Sequence, residues 1–308
     1  MKLRYDFVKS LLLFLLLVVF VSAETYNAIL VSWDGAGRKR VEALMAEKKL
    51  PALQTLKEEG AFVSIQVTGH GTVTSAGHAQ MLTGLTSKVN KITNNERYEP
   101  IPEGYTIFER LKKGLGKENI VAVALMGKSK YLGALGPEAL QDKKLPKYLQ
   151  KGEPYFNAKK QLDSWFGGSV NDAETVTGKG LEYIENYKDK RFFMFFHFAD
   201  PDTSGHSFGE GSADYTGALV NCDLLVGKII SKLKVLNIYG KTLIYVTADH
   251  GFNEGTNNHP DAPDIFLATN DKTVKNSGTQ ADITPTILKQ FNIALDKLDP
   301  PLAGKPLN

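Results

Sequence analysis

The chain has 308 residues, 42% of them hydrophobic and 23% charged, with a formal net charge of +3. This is globular composition, long enough for a sizeable core, and the absence of a long basic run argues against nucleic-acid binding. Cys222 is the one cysteine, which rules out an intrachain disulfide and a four-cysteine zinc site.

Lys2, Arg4 and Lys9 give the chain a basic start, Leu11 to Val21 is unbroken apolar sequence, and Val21-Ser22-Ala23 offers the small residues of a cleavage site. The apolar run is short for a membrane span, which needs about 20 residues. Residues 1–23 are expected to be a cleaved signal peptide, a retained N-terminal anchor being the alternative. Cleavage removes three positive charges and one negative and leaves +1. The mature chain, 24–308, is expected to be exported, periplasmic or secreted, and to form a single domain with no further membrane span.

Asn27 to Trp33 reads as a buried strand ending at Asp34-Gly35, followed by helices over 38–48 and 51–59 and a strand over 61–67. Gly71 to Gly84 reads as a loop that delivers a hydroxyl, from Thr72 or Thr74, to the first turn of a helix. There the unpaired N–H groups and the helix dipole favour an anion such as phosphate; the plain alternative is an N-cap. A helix over 105–115 and a strand over 119–125 precede an irregular Lys- and Gly-rich insertion around 127–169. Then come a helix (172–187), a very apolar strand (191–198), a long helix (213–236), a strand (241–247), a short strand (264–268) and a closing helix (282–291). Cys222 falls on the apolar face of the long helix with Leu219, Val226, Ile229 and Leu233, as core filler. Continuous apolar strands separated by helices predict an α/β fold: a mostly parallel central sheet covered by helices on both faces.

Ligands of such sheets bind beyond the carboxyl ends of the strands. Three of the predicted strands run directly into acidic residues: Asp34, then Asp200 and Asp202 with His206, then Asp249 with His250. One such Asp is often a helix cap or a loop solvator. Three on parallel strands converge on one rim, where carboxylates repel and need a cation. Asp202 and His206 are four residues apart, with Gly205 expected to let a loop turn tightly, and His259 lies in a polar loop. Carboxylate and imidazole donors suit zinc or another transition metal, in supply for about two ions.

Taken in order, Asp34-Gly, Thr74-Ser-Ala-Gly-His78, Asp202-Thr-Ser-Gly-His206, Thr247-Ala-Asp-His-Gly251 and His259 resemble the alkaline phosphatase superfamily, most closely its type I phosphodiesterase/nucleotide pyrophosphatase branch. The resemblance runs from residue 27 to 307, with Asp282-Ile-Thr-Pro-Thr-Ile-Leu288 and Gly304-Lys-Pro-Leu307 as closing segments; it does not cover 127–169. It implies an alkaline phosphatase-like three-layer sandwich and two zinc ions. Asp34, Asp249, His250 and the Thr74 hydroxyl would hold one, and Asp202, His206 and His259 the other. It also implies that Thr74, rather than Thr72, is the nucleophile that forms a phospho-threonine. Asn95 would donate to a phosphate oxygen. His78 and His197 would pack or orient, and Asp200 would orient a ligating histidine.

A small phosphate ester is the expected substrate, cleaved by a phosphodiesterase or nucleotide pyrophosphatase. The alternatives are a phosphomonoesterase of the same fold and, further off, a non-catalytic binding protein on this scaffold. A monoester carries one more charge and would need extra cations. Lys128 and Lys130 would supply them, although a solvated face is the simpler reading of that pair.

Overall fold

The computed structural model describes residues 27–95, 101–128, 161–167 and 170–308. The expected signal peptide, Lys130 and most of the insertion lie outside these residues. Among them, eight strands form one sheet: β1 (Asn27–Trp33), β2 (Ala61–Gln66), β3 (Val121–Met126), β4 (Ser164–Phe166), β5 (Phe192–Phe198), β6 (Thr242–Thr247), β7 (Asp264–Thr269) and β8 (Gly278–Thr279). Their order is β4-β3-β5-β1-β6-β7-β2-β8. The three strands that lead into the acidic residues, β5, β1 and β6, are therefore immediate neighbours at the centre.

All pairings are parallel except those of β7, which runs antiparallel to both β6 and β2. The reason lies in the connection. Parallel neighbours need a crossover helix, and no helix lies between Thr247 and Asp264. That segment is a loop carrying His250 and His259, so the chain returns beside β6 in the opposite direction. β1 and β5 are buried at every residue, as their unbroken apolar sequences require when both sheet faces are covered.

The helices are α1 (Arg38–Ala46), α2 (Pro51–Glu59), α3 (Thr74–Thr83), α4 (Ser87–Asn90), α5 (Ile107–Leu115), α6 (Ala173–Asn186), α7 (Asp200–Phe208), α8 (Ala213–Val235) and α9 (Ile283–Gln290). One layer is built around α8, which packs on α2, α6 and α7; the other joins α3 to α4 and α9, and α9 to α5. Cys222 is buried on α8, as its spacing predicts. Among the described residues no helix is long and apolar enough to cross a membrane.

α7 is a departure from the sequence reading, which treats Asp200 to Phe208 as a loop. The Pro-Asp-Thr-Ser-Gly run has poor helix propensity. It is helical because Pro201 occupies the first turn, where its missing N–H costs nothing, and Asp200 and Asp202 oppose the dipole at that end. Asp202 and His206 consequently share one helical face. Gly205 serves close approach rather than a turn: a Cβ there would lie 2.5 Å from the Phe252 ring.

Asp223 on α8 couples the helices of its layer. Fully buried, it accepts the N–H groups of Ala52 (2.9 Å) and Leu53 (2.8 Å). It thereby caps α2, whose own cap residue, Leu50, has no side-chain acceptor. Burial raises its carboxyl from 3.8 to about 6, against the two N–H donors. A folded-state value above the unfolded one stabilises fully below about pH 4, and that contribution is lost as pH rises through about 6. Asp223→Asn removes the dependence. The stability of the variant relative to wild type should rise by about 2 kcal/mol between about pH 4.5 and pH 7.5. Paired thermal melts check this, and a difference that does not move with pH would contradict the assignment.

Candidate active site

The register of β5, β1 and β6 aligns Ser32 with both His197 and Thr247, so the three strands end together. Asp34 follows β1, α7 follows β5, and Asp249-His250 follows β6. The turn after β1 is pinned twice: Gly35 N–H donates to Asp249 Oδ1 at 3.0 Å, and Tyr215 O–H donates to Gly35 O at 2.8 Å. Gly35 has φ +76, and a Cβ there would lie 2.7 Å from the Phe252 ring, so only glycine fits.

Thr74 is the first residue of α3, preceded by an extended Val73 that offers no side-chain cap. Its Oγ1 lies 3.4 Å from Asp34 Oδ1 and 3.3 Å from His250 Nε2. α3 approaches the β6 end closely because its fourth residue is Gly77, where a Cβ would lie 2.6 Å from Asp249 O. Asn95 accepts the Ser75 N–H on its Oδ1 at 2.9 Å. This commits the carboxamide oxygen and leaves the amide nitrogen as the donor.

All seven residues expected as metal ligands are brought to this rim. Asp202, His206 and His259 offer donor atoms within 4.8 Å of one another, and so do Asp34, Asp202 and His250, with Asp202 in both groups. Asp249 Oδ2 is 3.4 Å from His250 Nε2. The histidine tautomers follow from their main-chain partners. Nδ1 of His250, His206 and His259 faces the carbonyls of Gly251 (2.9 Å), Asn257 (2.9 Å) and Thr72 (2.6 Å). A carbonyl only accepts, so each Nδ1 carries the proton and each Nε2 presents a lone pair. His206 Nε2 and His259 Nε2 then face each other at 3.1 Å. Only a positive charge, a proton or a metal ion, makes that contact favourable. Asp202 Oδ1 and Asp249 Oδ2 are buried without a hydrogen-bond donor. Orphaned acceptors around unprotonated imidazole nitrogens are what a divalent cation requires, and the donor set fits zinc.

The charges adjust accordingly. Burial holds His250 neutral, at about 4, even beside Asp34. Burial and the Asp34 charge push Asp249 well above the carboxylate range. The Asp202 carboxylate beside it raises His206. Burial opposes ionisation of Asp34, but Lys128 and His197 prevail and hold it well below its ordinary value.

Four placements differ from the sequence reading or extend it. Lys128 is no part of a solvated face: its side chain is 11% exposed, and its ammonium bonds Asp34 and Asp202. Asp200 orients no ligating histidine. Its carboxylate accepts the Ala173 N–H at 2.8 Å and so caps α6, while backbone carbonyls orient the histidines. His197 receives the Lys128 N–H on Nδ1 (3.2 Å), and its Nε2 lies 3.1 Å from Asp34 Oδ2, so it orients that carboxylate directly. His78 bonds Thr74 O on Nδ1 (2.8 Å) and Ser32 Oγ on Nε2 (3.0 Å); it is buried, held neutral at about 3, and orients the start of α3. Two further residues had no signal. Phe252 packs edge-on against His206 and His259, each at 5.2 Å, and Gln280 donates to Asp249 O at 2.6 Å.

A family model described as type I phosphodiesterase / nucleotide pyrophosphatase matches residues 28–299. Human ectonucleotide pyrophosphatase/phosphodiesterase family member 1 is 25% identical over 243 residues, which is 76% of this chain and 24% of that protein. Mouse bis(5'-adenosyl)-triphosphatase enpp4 is 26% identical over 280 residues, 88% of this chain and 56% of that protein. The chain thus spans between a quarter and just over half the length of these curated relatives. Among solved structures, an inactive variant of murine ectonucleotide pyrophosphatase/phosphodiesterase 5 in complex with AMP superposes with a TM-score of 0.59 at 16% identity, covering 87% of this chain and 95% of that one. At that identity the likeness speaks for the fold alone.

Proposed function

The chain belongs to the type I phosphodiesterase / nucleotide pyrophosphatase family, and from that premise we propose that it hydrolyses phosphoric diesters or pyrophosphates through a phospho-threonine on Thr74. The observation that carries the reading is the set of buried acceptors at the rim where the Thr74 hydroxyl lies: Asp202 Oδ1 and Asp249 Oδ2, without donors, and the facing Nε2 atoms of His206 and His259. Asp34, Thr74, Asp249 and His250 would hold one divalent ion and Asp202, His206 and His259 a second, zinc by preference; bound there, the ions supply Lewis acidity to the threonine and phosphoryl oxygens.

The chain's own residues do the rest. Asp34 Oδ1 and His250 Nε2 fix the Thr74 oxygen at the mouth of α3. That oxygen attacks phosphorus in line, the ester oxygen opposite departs, and the phosphoryl group stays on Thr74 until water displaces it. The Asn95 amide nitrogen and the Thr74 N–H at the start of α3 hold the equatorial oxygens, where charge accumulates, while the Ser75 N–H keeps Asn95 in place. His197 and His78 keep Asp34 and the start of α3 in register. The name of one relative, a bis(5'-adenosyl)-triphosphatase, supports a substrate with a nucleotide half. Export rests on the basic, apolar and small-residue order of residues 1–23. A single catalytic domain over 24–308 rests on the reach of the family match.

A phosphomonoesterase is the second reading, favoured by the ammonium of Lys128 at the same rim, which would meet a monoester's additional charge. A bis-aryl phosphate and an aryl monophosphate, assayed on zinc-reconstituted protein, separate the two. We expect kcat/KM for the diester to be higher by about tenfold or more, a discrimination of at least 1.4 kcal/mol. A reversed ratio selects the monoesterase, and no turnover of either ester, or of a dinucleoside polyphosphate, would end both readings.

A further inference from the structure

Lys128 follows β3, and its ammonium lies between two carboxylates of the site, Asp34 and Asp202. It donates to Asp34 Oδ2 at 2.9 Å and to Asp202 Oδ2. Both bonds use Oδ2. The Oδ1 atoms are the ones that face the histidines expected as ligands, while Asp34 Oδ2 also meets His197. Asp34 Oδ1 is 3.5 Å from His250 Nε2, and Asp202 Oδ1 is 3.3 Å from His206 Nε2 and 3.8 Å from His259 Nε2. The lysine therefore compensates the carboxylates from behind and leaves the inward oxygens to an ion.

This arrangement answers a folding problem. Asp34, Asp202 and Asp249 bring carboxylates together in a space from which water is nearly excluded. Unbalanced, such a cluster must take up protons or spread apart. A chain that folds before it meets a metal passes through that state. Lys128 supplies one positive charge from within the fold, on a stem held between β3 and the strand ends. The same charge would act against a divalent ion held by these carboxylates, since like charges repel strongly where the effective dielectric is low.

We propose that Lys128 is an internal counter-cation: it lets the carboxylate cluster fold before an ion arrives, and it weakens zinc binding as a direct consequence. The proposal rests on the metal reading given above, and neither of its two readouts is turnover. One is the melting temperature of the metal-stripped protein; the other is zinc affinity, measured by competition with a chromophoric chelator. Lys128→Met keeps the stem and removes the charge. Metal-free Lys128→Met should melt about 5 °C or more below metal-free wild type. Its zinc dissociation constant should be about tenfold or more lower than that of wild type, because repulsion is removed from the loaded state and compensation from the empty one. Adding Asp202→Asn to Lys128→Met should recover part of the lost metal-free stability, since the charge to be balanced is then gone; a purely packing role for the stem predicts additive losses.

Equal or weaker zinc binding by Lys128→Met overturns the proposal, as does a metal-free melting point at the wild-type value. If neither wild type nor variant binds zinc, the metal reading itself fails and takes the proposal with it. Should metal-free Lys128→Met not fold at all, Lys128→Gln purified with zinc and titrated from the loaded side supplies the affinity comparison.

Discussion

Thr74→Ala should lose ester hydrolysis by about 10³-fold or more, for diester and monoester alike, while the protein stays folded and keeps most of its metal affinity. The expectation of an intact fold comes from how little the hydroxyl holds together. Its contacts to Asp34 Oδ1 and His250 Nε2 are long, 3.4 and 3.3 Å. The bonds that seat this end of α3 run through the main chain, from His78 Nδ1 to Thr74 O and from Gly77 N–H to Val73 O, and survive the change. The loss would therefore belong to chemistry. Turnover, thermal melting and metal content measured on one preparation separate the two. Full turnover with unchanged metal content would move the nucleophile elsewhere, and Thr72 is the neighbour to examine. Its hydroxyl is engaged with His259 O, which makes it a poor attacker as the chain stands.

Removing the metal should be as damaging as removing the threonine. Exhaustive chelation should abolish turnover and lower the melting temperature, and zinc should restore both. The stability effect has an electrostatic source, since burial and the Asp34 charge already push Asp249 far above the carboxylate range when no ion balances the cluster. Stoichiometry gives the sharper test. Wild type should bind two equivalents and His259→Ala one, because His259 belongs to the Asp202–His206 group and not to the Asp34–His250 group. Elemental analysis after gel filtration reads this. Two equivalents retained by His259→Ala, or turnover that survives chelation, would dissolve the two-ion reading.

Much of this arrangement was legible in the chain, for a physical reason. A strand buried on both faces must be continuously apolar, so the ends of β1, β5 and β6 announce themselves, and an Asp at such an end stands out. The parallel order then carries Asp34, Asp202 and Asp249 to one rim before any side chain is placed. What stayed illegible depends on partners distant in sequence. Lys128 opens a Lys-rich stretch that reads as solvated, and only the proximity of β3 to β5 turns it inward. His197, inside the run FFMFFHF, is legible as a residue that packs or orients, but its partner Asp34 is not. Phe252 and Gln280 act through packing and through a main-chain carbonyl, which leave no periodicity to find. α7 was missed because its helix is held by a proline and two acids at its start against weak intrinsic propensity.

The three imidazoles that converge on the rim are each aimed by a main-chain oxygen: Gly251 for His250, Asn257 for His206 and Thr72 for His259. Peptide oxygens are common to every amino acid, so replacing a side chain at Asn257 or Thr72 leaves the aiming atom where it was. The ring orientations are in that sense inherited from the path of the loops and not from their lettering. Side chains on the loops around this rim can change while the direction in which each ring nitrogen points stays as the main chain sets it.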